Sequence, residues 1–161
     1  MKSSSVNEIK QELVTLKPAA LVSLCLRLAK FKKENKELLT YLLFESHDEE
    51  AYLQSVKNWM DEAFTELPKS NLYLTKKTLR KILRITNRYV KYTGSAQMET
   101  ALLIYFCLKM KASGIPYQKS QVLLNMFEHQ LKKIKTVMME LHEDLQYDFQ
   151  KDLAVLQDEN R

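Results

Sequence analysis

The chain has 161 residues, of which 45% are apolar and 28% charged, and its net charge is +5. That balance is long and apolar enough to bury a core and excludes a disordered chain. Two glycines and three prolines are too few turn residues for a sheet or a phosphate-cradling loop, so the expected class is all-α.

In chain order, residues 1–4 are expected to be a disordered start. Ser5 and Glu8 then match the capping box, in which each side chain satisfies a backbone N–H of the other. They open a short helix carrying Val6, Ile9, Leu13 and Leu16. Pro18 suits the first turn of a second helix, where its missing N–H costs nothing. This helix, to about Lys32, is apolar nearly all round and should therefore be central. A third runs from near Glu34 to Phe44. Ser46 with Glu49 forms another capping box, and Asp48, Glu49 and Glu50 complement the positive end of the helix dipole. The fourth helix repeats Tyr52, Val56, Trp59, Met60, Ala63, Phe64 and Leu67 at i, i+3, i+4 spacing until Pro68.

A basic helix follows over about 75–92, with Gly94 as a left-handed stop. It holds Lys76, Lys77, Arg80, Lys81, Arg84, Arg88 and Lys91 and no acid. At about 100° per residue these seven occupy an arc of roughly 140°, and Leu79, Ile82, Leu83, Tyr89 and Val90 fill the opposite side. So sharp a division makes one side a core face and the other a concentration of positive charge. Ser95 caps the next helix, which ends near Gly114. The last is expected to be one long amphipathic helix over 117–157. Its Leu124, Phe127, Leu131, Ile134, Met138, Leu141 and Leu145 form a heptad seam, and a bend near 143–148 is the alternative. The seam suits either an intramolecular antiparallel bundle or a homodimeric coiled coil.

Together these elements describe a single helical domain over 1–161. It would hold six or seven mostly antiparallel helices in a bundle or short α-solenoid. Cys25 and Cys107 lie in apolar helical stretches and read as reduced core residues. No apolar leader opens the chain, and no apolar run approaches the roughly 20 residues of a membrane span, so a cytoplasmic location without membrane contact is expected.

Charge is segregated along the chain. Residues 1–44 carry +4, 45–68 carry −6, 69–139 carry +12 and 140–161 carry −5. The acidic blocks could cover the basic helix internally, with Asp61, Glu62 and Glu66 meeting Lys76, Lys77 and Arg80, or the blocks could face charged partners.

Chemistry-bearing motifs are missing. No P-loop, dinucleotide-binding, nucleophile-elbow or zincin motif occurs, and neither does the Glu-x-x-His pattern of di-iron bundles. His47, with Glu45, Asp48 and Glu49, reads as a solvated helix start whose acids serve the dipole rather than as a metal ligand, and the neighbours of His142 (Glu140, Glu143 and Asp144) point in different directions on a helix and cannot converge on one ion. His129 reads as part of a polar face. No catalytic residue, cofactor or metal is expected, and the chain is not expected to be an enzyme. Tyr89, Tyr92, Tyr105, Phe106 and Tyr117 surround the basic segment; core packing accounts for most of them, and Tyr92 is the best candidate for exposure.

The segment LVSLCLRLAKFKKENKELLTYLLFE, followed by the acidic helix and LRKILRITNRYVKYTG, resembles uncharacterised all-helical bacterial proteins. The succession of short antiparallel helices is loosely similar to HEAT-type pairs. This resemblance implies an all-helical fold and no activity. The expected function is a non-enzymatic protein-interaction or scaffold module, binding a protein partner or a second copy. The alternative is a nucleic-acid-binding protein that contacts phosphates through the seven bases of the basic helix.

Overall fold

The structure is a computed structural model that describes residues 3–157. Every regular element among the described residues is helical: α1 (Val6–Thr15), α2 (Pro18–Phe31), α3 (Lys33–Thr40), α4 (Glu49–Thr65), α5 (Leu72–Thr93), α6 (Ala96–Ala112), α7 (Gln121–Met138) and α8 (Glu143–Gln157). A π-helical turn, Tyr41–Glu45, continues α3, and a 3-10 turn, Tyr117–Lys119, precedes α7. The class is all-α. The disordered start expected over 1–4 falls in part on residues 1 and 2, outside the described residues.

The chain folds into two compact units, residues 1–44 and 45–161. In the first, the capping box forms as expected: Glu8 N donates to Ser5 Oγ, and Ser5 N donates to the Glu8 carboxylate. Pro18 occupies the first turn of α2, and α2 packs on α3. The central role expected of α2 is not observed. No side chain of α1, α2 or α3 is buried, and Val22, Leu26, Leu28 and Phe31 are more than half exposed. Cys25, expected in a core, is exposed as well. The physical reason is size. An all-round apolar helix needs neighbours on every side, and three short helices supply too few.

The second unit has that arrangement around α6, which packs against α4, α5, α7 and α8. α6 buries residues on all its sides, among them Met98, Leu102, Leu103, Phe106, Cys107 and Met110. Ser95 caps it, accepting from Met98 N. α4 adds Val56, Met60 and Phe64, and α5 adds Leu79, Ile82, Leu83 and Val90, the side that periodicity assigns to the core. The cap of α4 differs from expectation: Asp48, not Ser46, is the N-cap residue, and its carboxylate accepts from Ala51 N. An Asp at this position accepts the orphan donor and also carries the charge that the dipole favours.

The single long helix expected over 117–157 is divided. α7 ends at Met138, four residues form a turn, and α8 begins at Glu143, so the break lies ahead of the bend considered at 143–148. The drifting stripe explains the division. Phe127, Ile134 and Met138 are buried from α7, and only after a change of direction do Leu153 and Leu156 reach the core from α8, which packs on α6 and α7. Of the seam, Phe127, Ile134 and Met138 are buried within the unit, and Leu124, Leu131, Leu141 and Leu145 are half-buried. Lys111 of α6 closes the end of α8, donating from Nζ to Val155 O at 2.9 Å.

Candidate functional site: the basic face of α5

α5 begins with Asn71, whose side chain accepts from Tyr73 N and Leu74 N, and ends at Gly94 with φ +62°. The helix starts at Leu72, three residues ahead of the start expected at about 75, because Asn71 satisfies two orphan donors at once. Between these ends the helix has no acidic side chain. Its buried row seats against α4 and α6, which turns the cationic arc away from the core.

The seven bases divide into two sets. Lys77, Arg80, Lys81, Arg84 and Lys91 are exposed, while Lys76 and Arg88 are half-buried. Lys76 Nζ stands 5.4 Å from the centre of the Tyr73 ring, and the Arg88 guanidinium lies 5.9 Å from that of Tyr89. Within their unit, the five exposed bases form no ion pair with any described residue. Lys77, Arg80, Lys81 and Arg84 surround a cavity of about 380 Å³ together with Thr78.

The acids that could have covered this face are committed elsewhere or stand apart. Asp61 turns to α6, where Lys109 Nζ reaches its carboxylate at 2.7 Å and the Tyr105 hydroxyl donates to both oxygens at 2.8 and 2.9 Å. Burial alone would raise the Asp61 pKa, but the Lys109 and Tyr105 hydrogen bonds outweigh it and hold the carboxyl below its usual range. Burial, with the bond to Asp61, raises Tyr105, and the Asp61 partner raises Lys109.

Glu62 and Glu66 line a groove of about 230 Å³ between α4 and α5. Its floor is Trp59, Ala63, Ile82 and Ile85, and Lys81 stands on the opposite rim. No pair closes across it among the described residues. In α8, Asp148 pairs with Lys151 of its own helix. Residues 158 and 159, part of the expected acidic cover, lie outside the described residues. Internal neutralisation by Asp61, Glu62 and Glu66 is therefore not made, since Asp61 finds a better partner in a half-buried Lys–Tyr pair on α6.

The aromatics flanking the basic segment mostly serve packing. Trp59 of α4 meets Tyr89 edge-on at 5.5 Å, and Tyr89 meets Tyr92 at 6.2 Å. Phe106 and Tyr117 are buried, and Tyr92 is half-buried rather than exposed. The exposed ring is Tyr73, 68% accessible at the start of α5. It lies ahead of the helix expected over 75–92; the capping chemistry of Asn71 is the signal in the sequence that places it on the helix.

Among the described residues, no three of His, Cys, Asp and Glu gather where a metal ion could bind. His142 stands 3.4 Å from the Asp144 carboxylate in an exposed turn. Burial pushes the Cys107 thiol up to about 12, which suppresses the nucleophilic thiolate. No helix among the described residues is long and apolar enough to cross a membrane. In comparisons with known proteins the chain matches no family model, no curated protein and no solved structure, so the reading of this face rests on its chemistry.

Proposed function

We propose that the chain is a non-enzymatic interaction module whose working surface is the basic face of α5, and that its ligand is the phosphate backbone of a nucleic acid. The observation that carries this reading is the set of five exposed cations with no acidic partner among the described residues of their unit. Successive members are separated by about one helical turn or less, except for the longer step from Arg84 to Lys91. A phosphate backbone needs only such a row of cations, and binding then derives from counterion release. An acidic protein partner would in addition need a buried apolar or aromatic anchor near the centre of the patch. The part of the face from Lys77 to Lys91 presents long cations instead. No exposed Asn, Gln or acid lies among them to read base edges, so sequence preference should be weak.

The test is a salt titration of binding to labelled oligonucleotides by fluorescence anisotropy. About five phosphate contacts should give a plot of log affinity against log salt with a slope of roughly −3.5 for single strands and −4.5 for duplex. Arg80→Ala with Arg84→Ala should weaken binding and reduce the slope by about 1.4 for single strands and about 1.8 for duplex. Absence of binding to either form at low salt sinks the proposal.

A further inference from the structure

Tyr73 adds to the cationic face the kind of group that a phosphate contact alone does not require. Its ring is 68% exposed, although an aromatic side chain gains most by burial. At about 100° per residue it falls in the middle of the cationic arc, within roughly 40° of Lys77, Arg80, Arg84 and Lys91. At 1.5 Å per residue it precedes Lys77 by about 6 Å and Arg84 by about 16 Å. Lys76 Nζ, 5.4 Å from the ring centre, holds a cation against the ring, and the ring's exposure leaves area for a second planar group. Beyond it, Lys77, Arg80, Lys81 and Arg84 surround the cavity of about 380 Å³. An aromatic platform at one end of a cationic row is the arrangement that single strands use, because an unpaired base has a face to stack and a backbone to neutralise. In a duplex that base face is already stacked, so Tyr73 would contribute nothing there.

Resting on the reading of α5 as a phosphate-binding face, we propose that the nucleic acid bound is single-stranded, with one base stacked on Tyr73 and the adjoining phosphates on Lys77, Arg80, Lys81 and Arg84. The recognition is of an unpaired base beside a phosphate chain and does not select among bases.

The experiment compares labelled oligothymidylate of roughly 15 nucleotides with a duplex of equal length, using the full chain and its Tyr73→Ala, Tyr73→Phe and Lys77→Ala variants. Tyr73 is exposed, so none of its variants removes core packing, and circular dichroism verifies that each remains helical. Tyr73→Ala should weaken single-strand binding about 10-fold, leave duplex binding unchanged and keep the salt slope of the parent. Tyr73→Phe should restore the affinity, since it keeps the ring. Lys77→Ala should reduce the single-strand slope by about 0.7. Equal single-strand affinity in the parent and Tyr73→Ala, or tighter binding of the duplex than of the single strand, overturns the inference while leaving the phosphate-binding face in place. If neither oligonucleotide binds at low salt, both fall.

Discussion

Asp61 shows how one side chain can decide the character of a surface several residues away. Sequence position puts it beside Glu62 and Glu66, in a block that looks able to neutralise α5. Instead its carboxylate is held by Lys109 and Tyr105 of α6. A carboxyl whose pKa is lowered on folding contributes stability above its unfolded pKa and loses it as pH falls through the folded value. Asp61→Asn should therefore be less stable than the parent at neutral pH, with the difference closing below about pH 4; urea midpoints measured across that range check it. At the other extreme, Tyr105 and Lys109, both raised, favour the fold until pH rises through their own values. The two cysteines make the same point about environment. Both lie in apolar runs, yet Cys107 is buried in α6 and Cys25 is exposed in α2, because only α6 has helices around it.

At the scale of elements, caps and stops were legible. Ser5 with Glu8, Pro18, Gly94 and Ser95 each sit where their local chemistry predicts. The core side of α5 was equally readable from its period, since Leu79, Ile82, Leu83 and Val90 are the residues that the packing buries. What periodicity could not locate was the break after α7. A heptad seam and a drifting stripe are compatible with one helix or two, and the choice depends on whether Leu153 and Leu156 gain more by returning to α6 than four residues lose by leaving the helix. That gain is measurable. Leu153→Ala should cost about 2–3 kcal/mol, lowering the urea midpoint by roughly 1–2 M, whereas Val155→Ala on the exposed side of the same helix should cost less than about 0.5 kcal/mol. Equal effects of the two substitutions would mean that α8 is not docked through its Leu153 face.

At the scale of the whole molecule, residues 1–44 bury Tyr41, and the other buried apolar side chains among the described residues, from Tyr52 to Leu156, belong to residues 45–161. As a compact unit with its own buried side chains, a chain of residues 45–161 should remain helical and unfold cooperatively; a non-cooperative melt would show that this unit does not fold alone.

By itself, the amino-acid sequence determined the all-α class, most helix boundaries, the internal side of α5 and the cationic character of its other side. These follow from turn-residue scarcity, capping chemistry and helical period, all of which act over a few neighbouring residues. Only the tertiary structure decided that α6 rather than α2 is enclosed, that the last helix is split, that Asp61 pairs away from α5, and that the five exposed bases of α5 meet no acidic partner among the described residues of their unit. Each of these depends on which side chains from distant parts of the chain come within a few ångströms of one another, and periodicity along a single helix holds no such information.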